Sequence, residues 1–182
     1  MNSLQQSERY RHLNNYLKNK FGERTLKICI DGNFTCPNRD GTKGTSGCIF
    51  CSERGSGEHI SCNHIQSSTE SIKSQVLNYF SSYKANRANK FIAYFQNFTN
   101  TYDTIPNLKA KYDSALIDNR IVGLSIATRP DCINEDIAKL IRSYSNNYYV
   151  CVELGLQTSN DDTGNLICRE YTSKDFTNTV SI

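Results

Sequence analysis

Short apolar runs at residues 26–30, 90–98, 121–127 and 148–156 alternate with longer stretches in which apolar side chains return every three or four positions. The first rhythm belongs to strands, the second to helices that bury one stripe. A polar helix with Tyr10, Leu13, Tyr16 and Leu17 on one face ends at Gly22, just before the first strand. Ser67 and Glu70 stand at capping-box spacing ahead of a helix whose stripe is Ile72, Val76, Tyr79, Phe80 and Tyr83. Pro106 opens a helix carrying Leu108, Tyr112 and Leu116, and Ile137, Leu140, Ile141 and Tyr144 mark the next. Residues 172–182 begin a further helix with Phe176 and Val180, and no fifth strand follows.

Strand followed by helix, four times over, predicts an α/β fold with a parallel sheet and right-handed crossovers. In such folds the loops leaving the carboxyl ends of the strands build the ligand site. Those loops are residues 36–57, 96–102, 128–131 and 157–169, and they hold most of the chemically distinctive side chains. The 182 residues suffice for one core, read as an N-terminal helix within 1–24 and a strand-and-helix body over 25–182.

Composition narrows the reading only a little. The balance of 21 Lys+Arg against 18 Asp+Glu gives a net charge of +3, which neither announces nor excludes a nucleic-acid partner. Arg9, Arg11, Lys18, Lys20, Arg24 and Lys27 form an N-terminal basic cluster that suits phosphate contacts or a solvated helix face equally. The polar start Met1-Asn2-Ser3-Leu4-Gln5-Gln6 lacks an apolar signal core, so the eight cysteines are read as reduced and the protein as cytoplasmic. No apolar run approaches the roughly 18 residues that span a bilayer.

Cys36, Cys48 and Cys51 occupy one loop rich in Gly, Thr and Ser, directly after the first strand. Thiolates are soft donors suited to iron–sulfur clusters or zinc, so this spacing is a metal signature. With three thiolates, a [4Fe–4S] cluster keeps one iron free for a small molecule. Zinc competes, because Cys62, His59 or His64 offers a fourth ligand that would close a structural site. Phe50 lies between the last two cysteines, as a surface for a cofactor ring or as a loop anchor. Gly55-Ser56-Gly57 admits close backbone approach to a ligand or is a flexible tip. Arg129 and Asp131 end the third strand as a charged pair, or as an ordinary helix-entry turn. Glu153 interrupts an apolar run, where a charge must be paired, ligand-bound or turned to a wet face. Cys29, Cys132, Cys151 and Cys168 read as small buried hydrophobes.

Taken together, Phe34-Thr35-Cys36-Pro37-Asn38-Arg39-Asp40-Gly41, Gly47-Cys48-Ile49-Phe50-Cys51, Gly55-Ser56-Gly57, Tyr94-Phe95-Gln96-Asn97-Phe98-Thr99-Asn100-Thr101-Tyr102, Ile126-Ala127-Thr128-Arg129-Pro130-Asp131-Cys132 and Val152-Glu153-Leu154-Gly155-Leu156-Gln157-Thr158 carry a resemblance. The chain resembles the YhcC/YtqA-type radical S-adenosylmethionine (SAM) proteins, near the elongator catalytic-subunit branch, from about residue 9 to residue 169 in the family's own order. The resemblance implies a partial (β/α) barrel in which Cys36, Cys48 and Cys51 hold a [4Fe–4S] cluster whose fourth iron binds SAM. One-electron cleavage of SAM would then yield a 5′-deoxyadenosyl radical. It also implies that Phe50, Gln96, Asn97, Arg129, Glu153 and Gln157 face the cofactor or substrate. The substrate it implies is tRNA, at the wobble uridine, with flavodoxin or ferredoxin as electron donor.

The chain departs from that family in two places. Its relatives complete the barrel with further strands, whereas about four βα units are present here and the last strands are missing. Glu170-Tyr171 stands where the family has Gly-His after the position of Arg169. The sheet edge is therefore expected to be open, aggregating unless another polypeptide supplies the missing strands. The alternatives to a radical SAM enzyme are a zinc-stabilised binding module and an inactive truncated fragment.

Overall fold

The computed structural model describes residues 9–57, 60 and 68–182. Helix α1 (Leu13–Phe21) starts at His12, whose ring nitrogen accepts the Asn14 N–H, and stops at Gly22, whose N–H returns to the Lys18 carbonyl. β1 (Thr25–Ile30) follows, then the cysteine loop and α2 (Ser68–Ser81). Ser67, the expected cap of α2, lies outside the described residues. A 3-10 turn (Tyr83–Arg87) leads into β2 (Lys90–Phe95) and α3 (Ile105–Ala115), with Pro106 in the first turn where a missing N–H costs nothing. β3 (Ile121–Thr128), a second 3-10 turn (Pro130–Cys132), α4 (Glu135–Tyr144) and β4 (Tyr149–Leu154) complete the repeat. Two further helices close the described chain, α5 (Asp161–Leu166) and α6 (Ser173–Val180).

All strand pairs are parallel, in the order β1-β2-β3-β4. The α/β class and the alternating βα units expected from the apolar rhythm are present. Ile28, Ala93, Leu124 and Val150 are neighbours across the sheet. Their side-chain parity faces α2, α3 and α4, where Ile72, Val76, Leu108, Tyr112, Ile137 and Ile141 complete one core. Phe91, Phe95, Leu108, Tyr112, Leu124 and Ile126 are inaccessible to solvent. Each such side chain contributes roughly 1.5–3 kcal/mol by burial, which anchors the strands whose ends carry the site. The β2–β3 register slips once, between Phe91 and Ile92. Gly123 sits opposite, where a Cβ would stand 2.8 Å from the Tyr149 carbonyl oxygen.

The other parity of the sheet is polar at its centre. Glu153 of β4 accepts from the Lys27 ammonium of β1, from the Tyr94 hydroxyl of β2 at 2.8 Å and from the Ser125 hydroxyl of β3 at 2.9 Å. Lys27 also lies 3.9 Å from the centre of the Tyr94 ring. Lys27 therefore belongs to this face and not to the N-terminal surface cluster in which its sequence position placed it. Arg11 and Lys20 of that cluster lie instead over the rings of Tyr16 and Tyr149.

Boundaries differ from expectation where a loop takes the chain's hydrogen bonds. β2 ends at Phe95 rather than at residue 98, because Phe98 adopts a φ of 60° and its N–H goes to the Gly55 carbonyl. β4 ends at Leu154 rather than at residue 156, because its partner β3 ends at Thr128, whose carbonyl accepts the Gly155 N–H, and the chain turns at Gln157 with a φ of 64°. Helix α5 was not expected, although its Asn160 cap and the acidic pair Asp161-Asp162 are an ordinary helix start. β4 forms one edge of the sheet, with Val152 36% exposed. No helix among the described residues is long and apolar enough to cross a membrane.

Candidate metal and cofactor site at the strand ends

The loop after β1 is stitched by its own backbone. The Cys36 carbonyl accepts from the N–H groups of Arg39 and Asp40, Pro37 from Lys43 and Gly44, Asn38 from Gly47, and Cys48 from Cys51. The Arg39 guanidinium ties the far end by donating to the carbonyls of Cys51 and Ser52, at 3.0 and 2.5 Å. These bonds turn Cys36, Cys48 and Cys51 toward one cavity of about 300 Å³ at the carboxyl ends of the strands. Phe50, Gln96, Arg129, Glu153 and Gln157 line the same cavity, so eight of the nine residues singled out from the sequence meet there. Asn97 does not line it. Its side chain is buried against Gly57, where a Cβ would stand 2.9 Å from the Asn97 Cβ.

Gly55 and Ser56 form part of the cavity wall. Gly55 has a φ of +56°, and a Cβ there would lie 2.7 Å from the Phe98 ring, so both backbone and space demand glycine. The Gln96 amide donates to the Ser56 carbonyl at 2.9 Å and holds this segment in place. Gly55 and Ser56 are thus packed against Phe98 and Gln96 at the cavity wall.

Arg129 and Asp131 form a bidentate pair, at 2.9 Å for both bonds, and their side chains are 9% and 7% exposed. Lys43 adds a second cation to Asp131 at 2.6 Å. Burial favours a neutral Asp131 carboxyl, yet Arg129 and Lys43 outweigh it and hold the group below the usual carboxylate range. The Arg129 guanidinium also comes within 3.9 Å of the Cys36 sulfur and stacks on Tyr171. Burial pushes the Cys48 thiol up, against the lowering pull of the Asn38 amide and the Arg129 charge.

Glu153 supplies the opposite charge. Burial would raise its pKa, but the hydrogen bonds from Lys27, Tyr94 and Ser125 prevail and lower it. A carboxylate lowered in the fold contributes stability above its unfolded pKa, about 4.3, and loses it as pH falls through the folded value. Unfolding free energy is therefore expected to drop more steeply below about pH 4 in the natural chain than in Glu153→Gln, as urea unfolding at stepped pH will measure. Equal acid slopes would remove Glu153 from this account.

Three residues that the sequence did not single out complete the site. Arg169 is 1% exposed and donates to the carbonyls of Leu156, Thr158 and Tyr171 and to Asp161. Tyr171 lines the cavity with its ring against the guanidinium groups of Arg129 and Arg169, at 4.8 and 4.6 Å, and its hydroxyl donates to the Gly155 carbonyl. Asn38 is buried between the cysteine loop and residues 168–169. The only outward signal was the Glu170-Tyr171 departure from the family pattern. Glu170 takes a φ of 60°, a left-handed conformation that glycine adopts freely. Glu170→Gly is expected to gain about 0.5–1 kcal/mol, raising the melting temperature by about 2 °C. A lower melting temperature would show that the side chain compensates for the strain.

The remaining cysteines differ from the buried hydrophobes expected. Cys29, Cys132 and Cys151 are half-buried and Cys168 is exposed. Cys29 and Cys151 share the parity of Tyr94 and Ser125, away from the helix-packed core. Cys168 has a φ of 54° and offers its carbonyl, not its thiol, to the interior. His59, Cys62 and His64, the alternative fourth ligands, lie outside the described residues. Among the described residues no three Cys, His, Asp or Glu side chains gather closely enough to hold a single metal ion. A zinc ion would draw every sulfur to about 2.3 Å from one point. By donor chemistry the three thiols on this cavity wall suit an iron–sulfur cluster or zinc.

No family model matches the chain. It is similar to the uncharacterized protein YtqA of Bacillus subtilis, 39% identical over 166 residues that cover 90% of this chain and 50% of YtqA. It is also similar to protein YhcC of Escherichia coli K12, 35% identical over 156 residues, covering 85% of this chain and 48% of YhcC. The uncharacterized protein MJ0486 of Methanocaldococcus jannaschii is 32% identical over 161 residues, covering 88% of this chain and 48% of its own length. The chain thus spans about half the length of the curated relatives it matches.

Proposed function

We propose that the chain carries the cluster-binding part of a radical SAM enzyme, with a partial (β/α) barrel around a [4Fe–4S] cluster held by Cys36, Cys48 and Cys51. The observation that carries this reading is the convergence of those three cysteines on one cavity at the carboxyl ends of a parallel sheet. The family likeness of the surrounding motifs supports it. When bound, a cluster with an open iron supplies one-electron cleavage of SAM.

The chain's own residues prepare the space beside the cysteines. Arg129, its charge fixed by Asp131, sets a cation next to Cys36. Glu153, kept ionised by Lys27, presents an acceptor to the same cavity. A zwitterionic ligand with separated amino and carboxylate groups suits walls of opposite charge. Phe50, 53% exposed, gives the mouth an apolar surface, and Gln96 and Gln157 add amides. For the complete enzyme we propose a tRNA substrate, modified at the wobble uridine, an electron donor of the flavodoxin or ferredoxin type, and work in the cytoplasm.

Oxygen-free purification and reconstitution with iron and sulfide tests the reading. About four irons per chain, an absorption band at about 400 nm and a SAM-induced change in the electron paramagnetic resonance of the reduced cluster are expected. One zinc per chain and no colour would overturn it.

A further inference from the structure

Asn38 stands where two distant loops meet. Its side chain is 1% exposed, and its Nδ2 lies 3.4 Å from the Cys48 sulfur, 2.9 Å from the Cys168 carbonyl oxygen and 3.2 Å from that of Arg169. Its own carbonyl accepts the Gly47 N–H at 2.8 Å, which fixes the approach to Cys48. The amide orientation follows from its partners, for turning it over would press Oδ1 against two carbonyl oxygens and a sulfur. Oδ1 then remains buried without a partner among the described residues. An orphaned buried acceptor disfavours the residue unless the two N–H donors on the other side are needed.

The donors join segments 130 residues apart. One side is the cysteine loop; the other is the segment ending in Arg169, whose buried guanidinium fastens it to the carbonyls of Leu156 and Thr158. The Ile49 N–H donates across the same seam to the Ile167 carbonyl at 3.2 Å. An N–H aimed at a thiolate sulfur stabilises the negative charge that a cluster gains on reduction, and such bonds are among the groups that set cluster potentials.

We propose that Asn38 is a positioning residue that locks the Arg169 segment onto the cysteine loop and, through its N–H bond to the Cys48 sulfur, makes the cluster easier to reduce. This rests on the cluster reading given above. The test uses the full chain, natural and as Asn38→Ala and Asn38→Asp, reconstituted without oxygen and titrated potentiometrically under electron paramagnetic resonance. At equal iron content the midpoint potential should move to more negative values in Asn38→Ala, which has no donor. It should move further in Asn38→Asp, which keeps the shape, loses the donors and adds charge. A potential in Asn38→Ala equal to that of the natural chain overturns the tuning role.

Hydrogen exchange on the metal-free chain reads the lock separately. The Ile49 amide should exchange about tenfold faster in Asn38→Ala, while amides of β2 and β3 stay unchanged. Unchanged Ile49 exchange overturns the lock. A natural chain that takes zinc or no metal ends both the cluster reading and the tuning role, and the exchange result then stands alone for or against the lock.

Discussion

Replacement of Arg169 by leucine is expected to lower the stability of the chain by about 3–5 kcal/mol. The guanidinium is 1% exposed and each of its nitrogens donates, to the carbonyls of Tyr171, Leu156 and Thr158 and to Asp161. Hydrogen bonds from a charged donor are worth about 1.5–3 kcal/mol each, and relief from desolvating the charge returns part of that sum. Leucine satisfies none of the three carbonyls, which stay enclosed. Lysine is expected to recover less than half, since a single ammonium cannot fork among acceptors on both sides of a planar group. Urea unfolding should show a lower midpoint with an unchanged m-value. Gly164→Ala gives an independent check, because its Cβ would stand 2.7 Å from an Arg169 terminal nitrogen and crowd the same group. A loss below about 1 kcal/mol in Arg169→Leu would mean that water or a shifted loop replaces the guanidinium.

The second large effect concerns metal. Serine at Cys36, Cys48 or Cys51 is expected to reduce bound iron from about four per chain to fewer than one, each alone being sufficient. A cluster held by only three protein ligands tolerates no loss, and a hydroxyl is a poorer donor to iron than a thiolate. Cys29→Ser, on the sheet parity away from the packed core, serves as the control and should load normally. The joint substitution of His59, Cys62 and His64 separates the metals. Retained iron supports the three-cysteine site, whereas loss of metal identifies one of these side chains as a fourth ligand and favours zinc. Iron and zinc content by elemental analysis decides between them.

Much of this site was legible along the chain because the fold writes it in consecutive pieces. In a parallel sheet each strand delivers its following loop to the same end, so residues just past four apolar runs must meet. That is why Cys36, Gln96, Arg129 and Gln157, separated by up to 121 positions, share a cavity as expected. Asn97 shows the limit of the argument: one residue further along, the chain has already turned, and the side chain packs under Gly57. Asn38, Arg169 and Tyr171 gave no periodic signal, since their partners are backbone carbonyls whose positions exist only once the loops have folded.

Glu153 and Lys27 draw the same boundary more sharply. A charge inside an apolar run announces that it needs a partner, and period two places it opposite the packed face. The identity of that partner, 126 residues earlier on β1, depends on strand order and register. By itself the amino-acid sequence determined the four strands, the helices between them and the end of the sheet at which the chemistry gathers, because these follow from local periodicity and chain direction. Only the tertiary structure decided which polar groups meet across the sheet and between the loops, because those contacts depend on how separate elements pack, and no local pattern encodes a distance between them.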